Sequence, residues 1–182
     1  MSNNDKIVCS NIWKLFGPDE QRILKDLDTS LSRSEVQEKT GHVMAVKDVS
    51  FSIQKGETFV VMGLSGSGKS TLVRCISRLI EPTTGTVMMD DIDVTKMNSK
   101  ELLDLRRNKM SMVFQHFGLF PHRTVLNNIG YGLEIRGTNK QERIDKSMEV
   151  IKLVGLEGWH NHYPRELSGG MQQRVGLARA MA

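Results

Sequence analysis

Cysteine and long apolar runs are what this 182-residue sequence has least of. Its two cysteines, Cys9 and Cys75, are too few and too scattered for a disulfide framework, so reduced thiols are expected. No apolar run approaches the ~20 residues of a bilayer-spanning helix. Residues Met1 to Lys6 lack the apolar core of a secretory leader, and a cytosolic location is the expectation. Charge of one sign is also scarce: the net value of +4 suits an anionic ligand or a membrane surface, and a solvated basic face gives the same balance. With 25% charged and 38% hydrophobic residues, the chain is globular in composition and long enough to bury a core.

Several chemistries lack their residues. His116, His122, His160 and His162 have no cysteine or carboxylate at ligand spacing, and read as surface histidines. Met88-Met89 and Met110-Ser111-Met112 read as strand filler. Arg106-Arg107-Asn108-Lys109 has no interleaved aromatic for stacking bases and reads as the basic end of a helix. No nucleic-acid partner is expected.

What is present is Gly63-Leu64-Ser65-Gly66-Ser67-Gly68-Lys69-Ser70-Thr71, a match to G-x-x-x-x-G-K-[ST]. The apolar run Thr58–Met62 before it reads as a buried parallel strand. Leu72, Val73, Ile76, Leu79 and Ile80 after it share a helical face. Three glycines let main-chain N–H groups approach phosphate oxygens at a helix N-terminus, where unpaired donors and the helix dipole favour an anion. Lys69 would reach the β- and γ-phosphates and the Ser70 hydroxyl would ligate Mg²⁺. The alternative is a glycine-rich turn with a chance lysine. Strand, loop and helix in that order favour nucleoside triphosphate binding.

In chain order, residues 6–16 read as a strand closed by Gly17-Pro18, and a second strand runs from His42 or Val43 to Ile53. Between them, Ile23, Leu24, Leu27 and Leu31 recur at helical spacing, and Ser32-Arg33-Ser34-Glu35 has the form of a capping box, with Gly41 placed to end its helix. This helical insertion is either a surface decoration or a partner-binding element. Thr86–Met89 reads as a strand ending at an Asp90-Asp91 turn. Asn98 with Glu101 frames a helix, and Met110–Phe114 reads as another buried strand. Asn139 and Glu142 cap a helix whose apolar face is Ile144, Met148, Ile151 and Val154, and Gly155 ends it.

From Leu167 the chain reads Leu167-Ser168-Gly169-Gly170-Met171-Gln172-Gln173, which resembles the signature motif of ATP-binding-cassette (ABC) ATPases. Val113-Phe114-Gln115 resembles their Q-loop, 46 positions after Lys69 and 53 before Ser168. The resemblance covers essentially the whole chain. It implies an α/β fold with a P-loop core sheet, an antiparallel β lobe and a helical lobe. The expected layout is one partial ATP-binding domain over 1–182: an insertion at 18–41, the P-loop core at 42–115, a helical lobe at 116–166, and the signature with the start of its helix at 167–182.

The resemblance also implies roles. Residues 63–71 hold ATP with Mg²⁺, Gln115 touches the metal or the attacking water, and the signature residues Leu167 to Gln172 face ATP on a second copy in a head-to-tail homodimer. Phe16 falls where the family places an aromatic stacked on adenine, with Trp13 the competitor and a core role open for either. Within the family the chain looks most like the ATPase of quaternary-amine importers, for glycine betaine, proline betaine, choline or carnitine. That likeness rests on the insertion and on the runs Met62–Arg74 and Phe114–Leu126. It implies a peripheral ATPase on the cytoplasmic face, bound to permease subunits and serving a substrate-binding protein indirectly. The Asp-Glu strand, D-loop and switch histidine of the family are not found up to Ala182, so the expectation is a truncated ATPase without turnover. Rivals are a soluble ABC protein of DNA repair or translation, separable by a nucleic-acid pull-down, and an inert nucleotide-binding remnant, separable by turnover.

Overall fold

The computed structural model describes residues 5–182, which form two compact units, the first running to Leu102 and the second Leu103–Ala182. In the first unit, strand β1 (Asp5–Phe16) lies between β2 (Val43–Gln54) and β3 (Thr84–Met89), with the short β4 (Ile92–Asp93) at the edge. All pairings are antiparallel, with Cys9 opposite both Phe51 and Val87. Central placement and bulges near Ile12 and Lys14 bury Ile12, Trp13, Lys14 and Leu15 in succession instead of alternately. Lys14 is paired there, with both Glu20 carboxylate oxygens 2.7 Å from Nζ.

The insertion is two helices, α1 (Glu20–Asp26) and α2 (Arg33–Thr40). The Ser32/Glu35 capping box forms as the sequence predicts, and Gly41 ends α2 in the left-handed region. Leu27 and Leu31 fall beyond α1 but still pack, with Ile23 and Leu24, on the core of Trp13, Leu15, Val36 and Met44. His42 closes the insertion at its base: Nε2 lies 2.6 Å from the Pro18 carbonyl oxygen and Nδ1 2.8 Å from that of Thr40. Its ring fills the space that a Cβ on Gly17 would need.

Two expected strands are corrected. Thr58–Met62 and Met110–Phe114 form no strand, and Val60 and Met62 are 66% and 86% exposed. A parallel strand exists only through neighbours on its flanks, and among the described residues none pairs with either segment. Phe59 keeps one ordered contact, stacking on Phe51 with ring centroids 4.7 Å apart. The loop helix α3 (Lys69–Ile76) buries Leu72 and Cys75, whereas Val73 and Leu79, assigned from periodicity to its inner face, are exposed. Cys9 and Cys75 are free, and burial pushes their thiols up to about 12 and about 11.

Helix α4 (Ser99–Asn108) carries the reciprocal Asn98/Glu101 cap. The second unit is helical: α5 (Val125–Ile129), α6 (Tyr131–Ile135), α7 (Lys140–Leu153) and α8 (Gly169–Met181). Its core joins Val125, Ile129, Val150, Ile151, Leu156, Leu167, Val175 and Ala178. On α7 the buried stripe is Ser147, Val150 and Ile151, so Met148 is exposed where the periodicity placed it inside. Of the four histidines read as surface residues, His160 and His162 are half-buried, and His162 packs on Trp159 at 4.6 Å. Among the described residues, no helix is long and apolar enough to cross a membrane.

Buried Asn128 organises the loop ahead of α5. It accepts from Phe120 N (2.8 Å) and donates to the carbonyls of Phe120, Arg123 and Thr124. Asn128→Ala strands these groups and should lower stability by ~2–3 kcal/mol; an unchanged denaturant midpoint would contradict that. A second expectation concerns pH. Both His42 ring nitrogens meet carbonyl oxygens, so the protonated ring donates twice, and the Pro18 carbonyl, then that of Thr40, raises its pKa above the ordinary value. A raised folded-state pKa gives stability that is fully present below the ordinary histidine value of about 6.5 and is lost as pH rises through the folded value. The melting-temperature gap between the protein and His42→Gln should therefore shrink as pH rises; a pH-independent gap would refute the clamp.

Candidate functional site

The glycine loop of the first unit runs into α3 with Gly68 as the residue before the helix, at φ 95°. A Cβ on Gly68 would overlap the Ala45 carbonyl oxygen of β2, so only glycine lets the loop rest against that strand. No side chain caps α3, and no acidic residue stands in its first turn. Its leading N–H groups therefore keep the electropositive character of a helix start. The Lys69 ammonium sits inside the loop, 2.8 Å from Gly63 O and 2.7 Å from Leu64 O, with Ser67 Oγ at 3.4 Å.

The loop forms one wall of an open cleft of about 560 Å³. Gly66 to Thr71 line it from the loop and α3, Phe16 and Val43 from the paired ends of β1 and β2, and Arg33, Ser34 and Gln37 from α2. The lining holds two cations, Arg33 and Lys69, and no carboxylate, an electrostatic setting for an anion. Phe16 is 40% exposed at this cleft with Lys14 Nζ 5.1 Å from its ring centre, whereas Trp13 is in the core. Gly63, Leu64 and Ser65 are exposed in the loop before it.

Arg33, Gln37 and Ala45 were not singled out from sequence. The capping box locates α2, but nothing in the local pattern says that a helix more than thirty residues upstream meets the loop.

In the second unit Gln115 is exposed in a turn after Met110–Phe114. The apolar residues that follow it are not a free surface. Phe117, Leu119 and Phe120 are half-buried, Leu119 against the helical core and Phe120 on Tyr131 at 4.5 Å. Arg179 of α8 holds this turn by donating to the carbonyls of Phe117 (2.8 Å) and Gly118 (2.7 Å).

Ser168 caps α8, its Oγ accepting from Met171 N, and Gly169 and Gly170 are exposed in the first turn. Leu167 is buried in the core, Met171 packs against it, and the Gln172 amide donates to the carbonyls of Pro164 and Leu167. Of the six signature positions, Ser168 to Gly170 are thus the ones presented to solvent.

The ABC transporter family matches residues 46–182. This chain belongs to that family. It is 51% identical over 177 residues to the glycine betaine/proline betaine transport system ATP-binding protein ProV of Escherichia coli K12, covering 97% of this chain and 44% of that protein. It is equally similar, at 51% over 176 residues, to the trimethylamine N-oxide transport system ATP-binding protein TmoW of Pelagibacter ubique (97% and 51%) and the glycine betaine transport ATP-binding protein OpuAA of Bacillus subtilis (97% and 42%). The chain thus spans about half the length of these relatives. Among solved structures it matches the dimeric bacterial ABC transporter cassette MJ0796, with a TM-score of 0.79 and 34% identity over 97% of this chain and 69% of that one. A post-hydrolysis state of the same cassette, bound to ADP and Pi, matches with a TM-score of 0.78. The α/β fold of the ABC cassette, with antiparallel sheet and helices, is therefore this chain's fold.

The contact between Gly68 and Ala45 generates a sharp expectation. Gly68→Ala combines an occupied site with a left-handed φ and should cost more than about 1 kcal/mol. Unchanged thermal melting would show that the loop does not rest on β2.

Proposed function

We propose that this chain is the nucleotide-binding part of an ABC importer ATPase, which binds Mg-ATP in the Phe16/P-loop cleft and couples its hydrolysis to uptake of a quaternary amine such as glycine betaine. The observation that carries the reading is the uncapped α3 start behind a loop that presents a lysine and no acid. A triphosphate is the polyanion that such a start stabilises through oriented N–H groups. Lys69 neutralises the β- and γ-phosphates, and residues 63–71 form the cradle.

The Ser70 hydroxyl, exposed in the first turn of α3, is a hard oxygen donor of the kind Mg²⁺ takes, and Gln115 carries an amide oxygen of the same chemical class. When bound, the metal supplies charge neutralisation at the phosphates. Phe16 offers its exposed ring to the adenine. Gln115 positions water and reports occupancy to a permease.

The exposed start of α8, Ser168 to Gly170, suits a second anion-facing contact, made to ATP on another copy in a head-to-tail homodimer; Leu167, Met171 and Gln172 hold that turn in shape. The assembly sits on the cytoplasmic face of a membrane, against permease subunits and indirectly with a substrate-binding protein. The quaternary-amine assignment is supported by the 51% identity to ProV and OpuAA. The 18–41 insertion, the 42–115 core, the 116–166 helical lobe and the signature from 167 are the functional divisions of this reading.

Thermal unfolding with and without Mg-ATP tests it. At about 100 times its dissociation constant, ATP should stabilise the chain by ~2.7 kcal/mol, and Lys69→Ala should abolish the gain. An equal ATP response in Lys69→Ala, with nucleotide-free melting unchanged, would refute the assignment.

A further inference from the structure

Helix α2 belongs to the insertion, yet its first residue reaches the glycine loop. Arg33 Nη2 donates to Ser67 O (2.9 Å) and Ala45 O (3.2 Å), and Nη1 reaches Gly66 O (3.3 Å). One guanidinium thus joins β2 to two successive peptides of the loop. The helix that presents it is fixed independently. Val36 is fully buried among Trp13, Leu15 and Met44, the Ser32/Glu35 box closes the N-terminus, and His42 ties the far end to Pro18. Arg33 is therefore held from behind while its planar fork holds the loop.

We infer that Arg33 is a positioning residue for the nucleotide site, and that the insertion acts through it to set the phosphate-binding form of the loop. In a trans peptide the C=O and N–H point in opposite directions. Fixing the carbonyls of Gly66 and Ser67 on the Arg33 side turns the N–H groups of Ser67 and Gly68 away from it. The Ser67 N–H closes the turn onto Leu64 O at 3.2 Å, and that of Gly68 leads into the α3 start. Without the fork, those peptides are free to rotate, and ligand binding must order them first. Arginine suits this task because its donors are planar and spaced to meet adjacent acceptors, whereas a lysine ammonium is a point charge. Ser34 and Gln37 line the same cleft from the same helix, so α2 is one wall of the site.

The inference rests on the reading of the loop as a phosphate cradle, and the experiment separates the two. Mg-ATP dissociation constants are measured by calorimetry on the 182-residue chain and on Arg33→Ala, Arg33→Lys and Lys39→Ala. Arg33→Ala should weaken ATP by about tenfold or more, the scale of one charge-assisted hydrogen bond. Arg33→Lys should also weaken it several-fold, although the charge is retained. Lys39→Ala, which removes a cation from the same helix but outside the cleft lining, should bind as the unmodified chain does.

Wild-type affinity in Arg33→Ala or Arg33→Lys, or an equal loss in Lys39→Ala, would reduce the role to absence or to bulk charge and overturn the inference alone. Failure of the unmodified chain to bind ATP would overturn the cradle reading and the inference with it. If Arg33→Ala does not fold, Arg33→Lys decides, with melting of the nucleotide-free protein as its folding control.

Discussion

The close approach of Gly68 to the Ala45 carbonyl is the constraint on which the site depends. It seats the loop on β2, and β2 is itself registered against β1 along most of its length. The start of α3 is therefore held by a sheet and not by its own short helix, which at eight residues is too brief to be stable alone. Because no side chain caps that start, its donors stay available, and the stability given up there is the binding capacity of the site.

The insertion reinforces the same corner. Helix α2 is amphipathic only weakly, and neither α1 nor α2, at seven and eight residues, would persist in water as an isolated segment. They persist because leucines and Val36 extend the core of β1 and β2, because Lys14 and Glu20 neutralise each other, and because His42 bridges the two ends. A surface decoration needs none of the contacts from Arg33 to the loop carbonyls. Those contacts give the segment a place in the cleft wall.

The helical unit solves a related problem around α8. Arg174 holds the end of α7 through the carbonyls of Val154 and Gly155, and Arg179 holds the turn after Gln115. Gly176 lies against Phe117, and a Cβ added there would meet that residue at ordinary contact distance, 3.7 Å. One helix thus links the exposed Ser168–Gly170 start to the Gln115 turn through its own side chains. Two regions remote in sequence are joined by a rigid body.

The sequence by itself determined the local features, because these depend on residues a few positions apart. The caps at Ser32 and Asn98 and the left-handed ends at Gly41 and Gly155 all appear where their chemistry predicts. At Asn139 the side chain accepts from Glu142 N as expected, but Glu142 answers to the Asn139 amide instead of its backbone. Tertiary structure decided what needs a distant partner. It set Phe16 at the cleft and Trp13 in the core, turned Cys75 inward in place of Val73, packed the Phe117–Phe120 apolar groups inside, and brought Arg33 to the loop. It also left Thr58–Met62 and Met110–Phe114 without ladders, although both have strand composition. A cap is satisfied by its own turn, whereas a parallel strand or a clamped loop exists only when another segment supplies the opposing hydrogen bonds.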